Sequence, residues 1–237
     1  MALSEEEQRL MREALAFAKA NRRAIARRRT DPAIYIPEEN PVSVFMAGSP
    51  GAGKTEASIE LIERIGTPVI RIDPDELRTE CPGYAGANAY LFQPAVSILV
   101  EKIHDEALEQ AQSFVLDGTL SNYERARKNI ERSLGRSRTV QILYVYQEPM
   151  LAWDFVVVRE AAEGRHIKPE TFVNQYFAAR EVVNGLKREY GNRIAVDLLL
   201  KNNDNSNRLY KAGVDQIDHH IPEKYSRSDV EEMLKRI

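Results

Sequence analysis

Gly48-Ser49-Pro50-Gly51-Ala52-Gly53-Lys54-Thr55 is the stretch whose reading decides the fold of this chain. It satisfies the pattern G-x-x-x-x-G-K-[ST]. The short apolar run Val42 to Ala47 precedes it and a segment of helical periodicity, Lys54 to Ile65, follows it. A chance glycine-rich turn would satisfy the spacing without strand and helix on the correct sides. In this context the glycines let backbone N–H groups curl around phosphate oxygens, and the next helix adds its positive N-terminal end. Gly48, Ser49, Pro50, Gly51, Ala52, Gly53, Lys54 and Thr55 are therefore the expected nucleotide-binding residues. Lys54 is expected to bridge β- and γ-phosphates, and Thr55 to ligate Mg2+.

Working outward, the next strand candidate, Pro68 to Ile72, delivers Asp73-Pro74-Asp75 to a strand's carboxyl end, where open α/β sheets place their ligands. A carboxylate there can accept a substrate hydroxyl proton during phosphoryl transfer. Asp73 before Pro74, with Glu76 after, also reads as a helix N-terminus. Both roles are compatible, Asp73 capping and Asp75 facing the substrate. A further strand, Phe114 to Leu116, ends in Asp117-Gly118-Thr119, a Walker-B-like position for magnesium or its water shell; the competing reading is an ordinary strand-to-helix turn. Arg159 and Arg165 flank Gly164 near a helix end and suit a lid that offsets phosphoryl charge, although arginines beside Glu160 and Glu163 also read as an ordinary surface.

The remaining pattern alternates strand and helix. Helices are expected over residues 4–28 (Ser4 and Glu7 at capping-box spacing), from Pro94 onward, over Asn122 to Ser133, from Met150 to Gly164 and over Pro169 to Tyr190. Val140 to Tyr146 and Ile194 to Leu200 read as strands, the latter as the last clear one. Residues 202–208 read as a turn or loop, and Ser228 with Glu231 as the capping box of a final helix. This order predicts an α/β fold: a mainly parallel sheet flanked by helices. The expected division is an N-terminal helix and connector over residues 1–41 and a P-loop domain over residues 42–237.

The chain has 237 residues and 27.0 kDa, with 43% hydrophobic and 29% charged residues, enough for a sizeable core and too apolar for disorder. A net charge of -3 gives no general attraction to nucleic acid or anionic membrane. The basic helix end, Arg22 to Arg29, suits a helix dipole and reads as a solvated end. One cysteine, Cys81, excludes an intramolecular disulfide and a cysteine-rich metal site. No apolar run is long enough to cross a bilayer and no signal core opens the chain, so a cytoplasmic location is expected, with leaderless secretion as the alternative.

Taken together, the motifs resemble those of the zeta toxin family over roughly residues 42–202, with a weaker match for the N-terminal helix. The glycine-rich loop is similar to the family's, and Ile72-Asp73-Pro74-Asp75 resembles its I-D-x-D segment. The resemblance implies that Asp75 is the catalytic base, that Glu101 binds substrate, that Asp117-Gly118-Thr119 stands where the family has E-G-T, and that Arg159 and Arg165 surround the triphosphate. It implies a kinase using ATP or GTP on a sugar hydroxyl of UDP-N-acetylglucosamine or a related UDP-sugar, neutralised by an epsilon-like antitoxin. Asp117 departs from the usual glutamate, and the stretch Cys81 to Pro94 is unlike that of the best-known members. Two other readings remain open: the same machinery on an antibiotic, NAD or a nucleic-acid end, and a nucleotide-sensing partner protein without transfer activity. Dependence of ADP formation on an acceptor separates kinase from sensor.

Overall fold

The computed structural model describes residues 3–164, 167–204, 206–222 and 224–236. Six strands form one sheet in the order β2-β3-β1-β4-β5-β6. These are β1 (Val42–Ala47), β2 (Ile70–Ile72), β3 (Phe114–Leu116), β4 (Thr139–Tyr146), β5 (Ala195–Lys201) and β6 (Asn207–Lys211). The first five pair in parallel and β6 pairs antiparallel with β5. Side chains alternate along each strand, so the sheet feeds two cores. Phe45, Ile142, Tyr144 and Leu198 point to the larger one, and Val44, Met46, Leu143, Val145 and Leu199 to the smaller one on the other face.

The helices are α1 (Glu5–Arg29), α2 (Lys54–Ile65), α3 (Pro74–Arg78), α4 (Ala89–Glu109), α5 (Tyr123–Leu134), α6 (Pro149–Glu163), α7 (Pro169–Tyr190) and α8 (Arg227–Lys235). The box read at Ser4 and Glu7 is present in both directions: Ser4 Oγ accepts from Glu7 N and Ser4 N donates to the Glu7 carboxylate. Ala14, Ala18 and Ala26 of α1 are wholly buried, and their small side chains bring α1 close against α4 within the larger core. The basic end of α1 is not merely solvated. Arg28 pairs with Glu80, and Arg29 pairs with Glu76 and Glu80, which tie α1 to the segment around α3.

Three expectations need correction. Helix α4 starts at Ala89, so Pro94 lies inside it rather than at its head. The ring removes one backbone donor, but burial of Leu91 and Phe92 holds the preceding turn in place. Asn88 adds to this hold, accepting from Ala85 N and donating to Gly83 O. The second correction is at residues 202–208: Asn203 and Asp204 turn, Asn202 N donates to Ser206 O at 2.8 Å, and the chain is in β6 from Asn207. Every residue of β6 is exposed, so no burial pattern marks it. Third, the final helix is capped by Ser226 and Asp229, two residues before Ser228 and Glu231. The Ser226 hydroxyl accepts from Asp229 N while the Asp229 carboxylate accepts from Ser226 N. Among the described residues no helix is long and apolar enough to cross a membrane.

Candidate active site

Strands β1, β2 and β3 end together, and the loops that follow them enclose one cavity of about 1060 Å³. Lys54, Thr55, Asp75, Glu101, Asp117, Thr119 and Arg159, all expected from the sequence, line it. Arg165 lies outside the described residues. The loop from Gly48 to Thr55 runs from β1 into α2. Gly48 has φ of 135°, and a Cβ there would meet Val145 O at 2.3 Å; Gly51 has φ of 72°, and a Cβ there would meet Ala152 O at 2.0 Å. Only glycine fits these positions, which is how the backbone comes to curl as a cradle. Lys54 Nζ folds over this loop and donates to Ser49 O at 2.6 Å.

Asp73 caps α3, its Oδ1 accepting from Asp75 N at 2.7 Å. Burial, reinforced by the neighbouring Asp117 and Asp75 carboxylates, pushes its pKa up to about 6, against the pull of Arg71. Asp75, one turn-position beyond Pro74, faces the cavity. Among the described residues two guanidinium groups reach it: Arg78 donates to Oδ1, and Arg159 Nη2 donates to Oδ2 at 3.0 Å. Arg159 also donates to Glu163 at 2.8 Å, so this α6 arginine is drawn toward the acidic side of the cavity. Asp117 is buried at the end of β3, and its Oδ2 lies 3.1 Å from Arg71 Nη2 and 3.2 Å from Ser58 Oγ. Thr119 shares a hydrogen bond with Ser121, and its carbonyl accepts from Gly48 N at 3.3 Å, joining the β3 turn to the start of the glycine-rich loop.

Beyond Asp75 the cavity continues as a cleft between α4 and α5. Ser97, Val100, Glu101 and His104 share the cavity face of α4, while Arg125, Lys128, Asn129 and Arg132 share that of α5. Glu101 is 60% exposed and lies 3.6 Å from Lys128 Nζ. His104 is buried at the cleft floor. Arg132 has only donors, so His104 Nδ1 accepts from it, and the proton sits on Nε2, which has no partner among the described residues. Burial, with the Arg132, Arg138 and Arg136 charges, pushes the imidazole down to about 3 and keeps it neutral.

Several contributors were not read from the sequence. Arg71 and Ser58 hold Asp117, and Arg78 holds Asp75 while donating to Gln93 Oε1 at 2.7 Å. Arg78 had a signal, its position three residues after Asp75 in a helical segment. Arg71 also had one, a charge between two strand isoleucines that must find partners.

The family model for Zeta toxin matches residues 25–215 of this chain. The chain belongs to the zeta toxin family. Its sheet order, glycine-rich loop and flanking helices form the P-loop kinase fold of that family. Among solved structures, a chain of the PezAT chromosomal toxin–antitoxin system of Streptococcus pneumoniae is similar at 17% identity and a TM-score of 0.63, over 99% of this chain and 94% of that one. The AvrRxo1-ORF1:AvrRxo1-ORF2 complex with ATP is similar at 14% identity and a TM-score of 0.55, over 86% and 66% of the two chains. The same complex with sulphate ions gives 14% identity and a TM-score of 0.57, over 91% and 72%. No curated protein matches the chain.

Proposed function

We propose that this zeta toxin family chain is a kinase that moves the γ-phosphoryl of ATP or GTP to a sugar hydroxyl of a UDP-sugar of the UDP-N-acetylglucosamine type. The observation that carries the reading is the place of Asp75. Its carboxylate stands in one continuous cavity, between the glycine-rich loop on one side and the α4–α5 cleft on the other. A nucleotide in the cradle and an acceptor in the cleft would meet beside it. Arg78 and Arg159 both donate to that carboxylate and so hold it at this meeting point.

In this reading the acceptor oxygen attacks the γ-phosphorus and forms a new P–O bond. The bond to the β–γ bridging oxygen breaks, ADP or GDP leaves, and the hydroxyl proton passes to Asp75. Lys54 leaves Ser49 O for the β- and γ-phosphates. Arg159 exchanges Asp75 for phosphate oxygens, where its planar fork offsets the spreading charge, with Arg165 in the same role. Glu101 and Thr119 position the acceptor. The donor set near the loop, the Thr55 hydroxyl and the Asp117 carboxylate, is oxygen only, and no group of three His, Cys, Asp or Glu residues forms a metal cage among the described residues. Such a sparse, hard set fits magnesium, which draws its other ligands from water and phosphate. When bound, magnesium would be held by Thr55 and Asp117 and would offset the negative charge of the triphosphate.

The test is direct. The protein is incubated with Mg-ATP or Mg-GTP and UDP-N-acetylglucosamine, and the sugar nucleotide is examined by mass spectrometry for the gain of one phosphate. Gain on a different metabolite of a cell extract would replace the acceptor and keep the kinase. Slow nucleoside diphosphate formation that ignores every acceptor would overturn the kinase and leave a nucleotide sensor. The family further supports a toxin held in check by an epsilon-like antitoxin protein: growth arrest on expression, relieved by such a partner, is the expected outcome.

A further inference from the structure

We propose that Arg71 is a positioning residue that fixes the acceptor-side carboxylate Asp75 relative to the P-loop helix α2. The inference rests on the phosphotransfer reading above and extends it to a residue outside the glycine-rich loop and the lid. Arg71 is the middle residue of β2, and its strand neighbours Ile70 and Ile72 are each 1% exposed. A guanidinium in such a place is costly unless its donors are met. They are met by four side chains from three other parts of the fold. Nε donates to Ser58 Oγ at 3.0 Å, Nη2 to Asp117 Oδ2 at 3.1 Å and also to Asp73, and Nη1 to Glu76.

The identity of those partners gives the arrangement its consequence. Ser58 is in α2, one turn beyond Thr55, and its hydroxyl also lies 2.8 Å from Thr55 O. Asp117 ends β3. Asp73 and Glu76 belong to the head of α3 and flank Asp75 in sequence. A five-residue helix has too few internal hydrogen bonds to hold its own position. Here its first turn is fastened on both sides of Asp75 to one guanidinium, which is itself fastened to α2 and β3. Asp75 therefore cannot shift toward or away from the loop without breaking charge-assisted bonds. In-line transfer needs reacting atoms about 3–3.5 Å apart, and a misplacement of about 1 Å costs on the order of 10²-fold in rate. Only a planar fork meets partners in so many directions; a lysine would supply the charge at one point.

Arg71→Lys and Arg71→Met test this, with nucleotide affinity, turnover and amide exchange measured on the full chain. The expected result for both is a nucleotide Kd within about threefold of wild type, a fall in kcat of about 10²-fold, and faster exchange in residues 74–79 with residues 54–65 unchanged. Wild-type kcat in Arg71→Lys would mean that charge alone suffices, and would overturn the proposal. So would equal losses of kcat and nucleotide affinity, the mark of general collapse. Arg71→Met leaves Asp73 and Asp117 uncompensated and risks unfolding. The double variant Arg71→Met with Asp73→Asn removes one carboxylate and keeps a capping side chain. It is expected to fold and still transfer slowly; recovered turnover would sink the idea. Should wild type phosphorylate no acceptor, the kinase reading fails by itself. Exchange then decides the positioning claim: unchanged exchange in residues 74–79 of Arg71→Lys would overturn it.

Discussion

At Asp75 a carboxylate meets the guanidinium groups of Arg78 and Arg159, and at Asp73, two residues earlier, a carboxylate is buried as a helix cap. Identical side chains thus do different work because of where their oxygens point. Asp75→Asn keeps shape and hydrogen-bonding reach but cannot take a proton, so transfer is expected to fall ~10²–10⁴-fold with nucleotide binding intact. Asp73→Asn still accepts from Asp75 N, and its main effect is expected on melting temperature rather than on the chemical step. Single-turnover kinetics on both variants check the assignment, and swapped outcomes would reverse it. His104 offers a prediction about pH. Its imidazole is held neutral, near 3 against the ordinary 6.5, by burial and by Arg132. The unfolded chain binds a proton below about 6.5 that the folded chain refuses, so stability supplied by this group is present above that pH and is lost as pH falls. Between pH 7 and pH 5 the loss is about 2 kcal/mol. Asparagine does not titrate, so urea unfolding at the two pH values should show the gap between wild type and His104→Asn narrowing by that amount. A constant gap would mean that His104 takes up its proton in the folded state.

At the scale of elements, α1 is fastened both by packing and by charge. Ala14, Ala18, Ile25 and Ala26 bury against the body of the protein, and Arg28 and Arg29 pair with Glu76 and Glu80 beside α3. Gln112 also donates to Thr30 O and Tyr35 O, which pins the connector. Deleting residues 1–28 is therefore expected to yield insoluble protein or a large fall in melting temperature. A soluble truncation that melts with the full chain would show that α1 is dispensable to the fold. Elements were legible where local chemistry and burial agree. The capping box at Ser4, the apolar runs of β1 and β4, and Pro169 opening α7 all mark their elements in the sequence. The head of α4 was not legible, because its first turn is held by Leu91 and Phe92 against a proline that argues for a later start. Nor was β6, whose pairing with β5 rather than its own composition makes it a strand.

For the whole molecule, the parallel strand order sends the ends of β1, β2 and β3 to one rim, and the cavity follows from that convergence. A ligand in it touches α2, α3, α4 and α6 at once, so its binding should be felt globally. Mg-ATP at 100-fold over its Kd would add about 2.7 kcal/mol, several degrees in melting temperature for a chain of this length at about 2–4 °C per kcal/mol. Lys54→Ala should keep the fold, since Lys54 lines the cavity rather than the core, yet lose most of this shift and nearly all transfer. Calorimetry with nucleotide, with and without EDTA, is the check, and an equal shift in wild type and Lys54→Ala would remove Lys54 from the nucleotide site.

By itself the sequence determined the glycine-rich loop, the strand–helix alternation around it and the two acidic strand ends, because these depend on residue types at short spacing. Gly48 and Gly51 can be read directly from the motif, and the structure gives the reason: a Cβ at either would meet Val145 O or Ala152 O. Only the tertiary structure decided which charges meet. That Arg71 joins Asp73, Glu76, Asp117 and Ser58, that Arg78 and Arg159 converge on Asp75, and that His104 is sealed under Arg132 are contacts between residues up to 84 positions apart. Short-range spacing hints at the near ones, such as Arg78 three residues after Asp75, but carries no information about Arg71 with Asp117 and Ser58, Arg159 with Asp75, or His104 with Arg132. They arise when parallel pairing aligns three strand ends and packing turns the helices that follow to face one another.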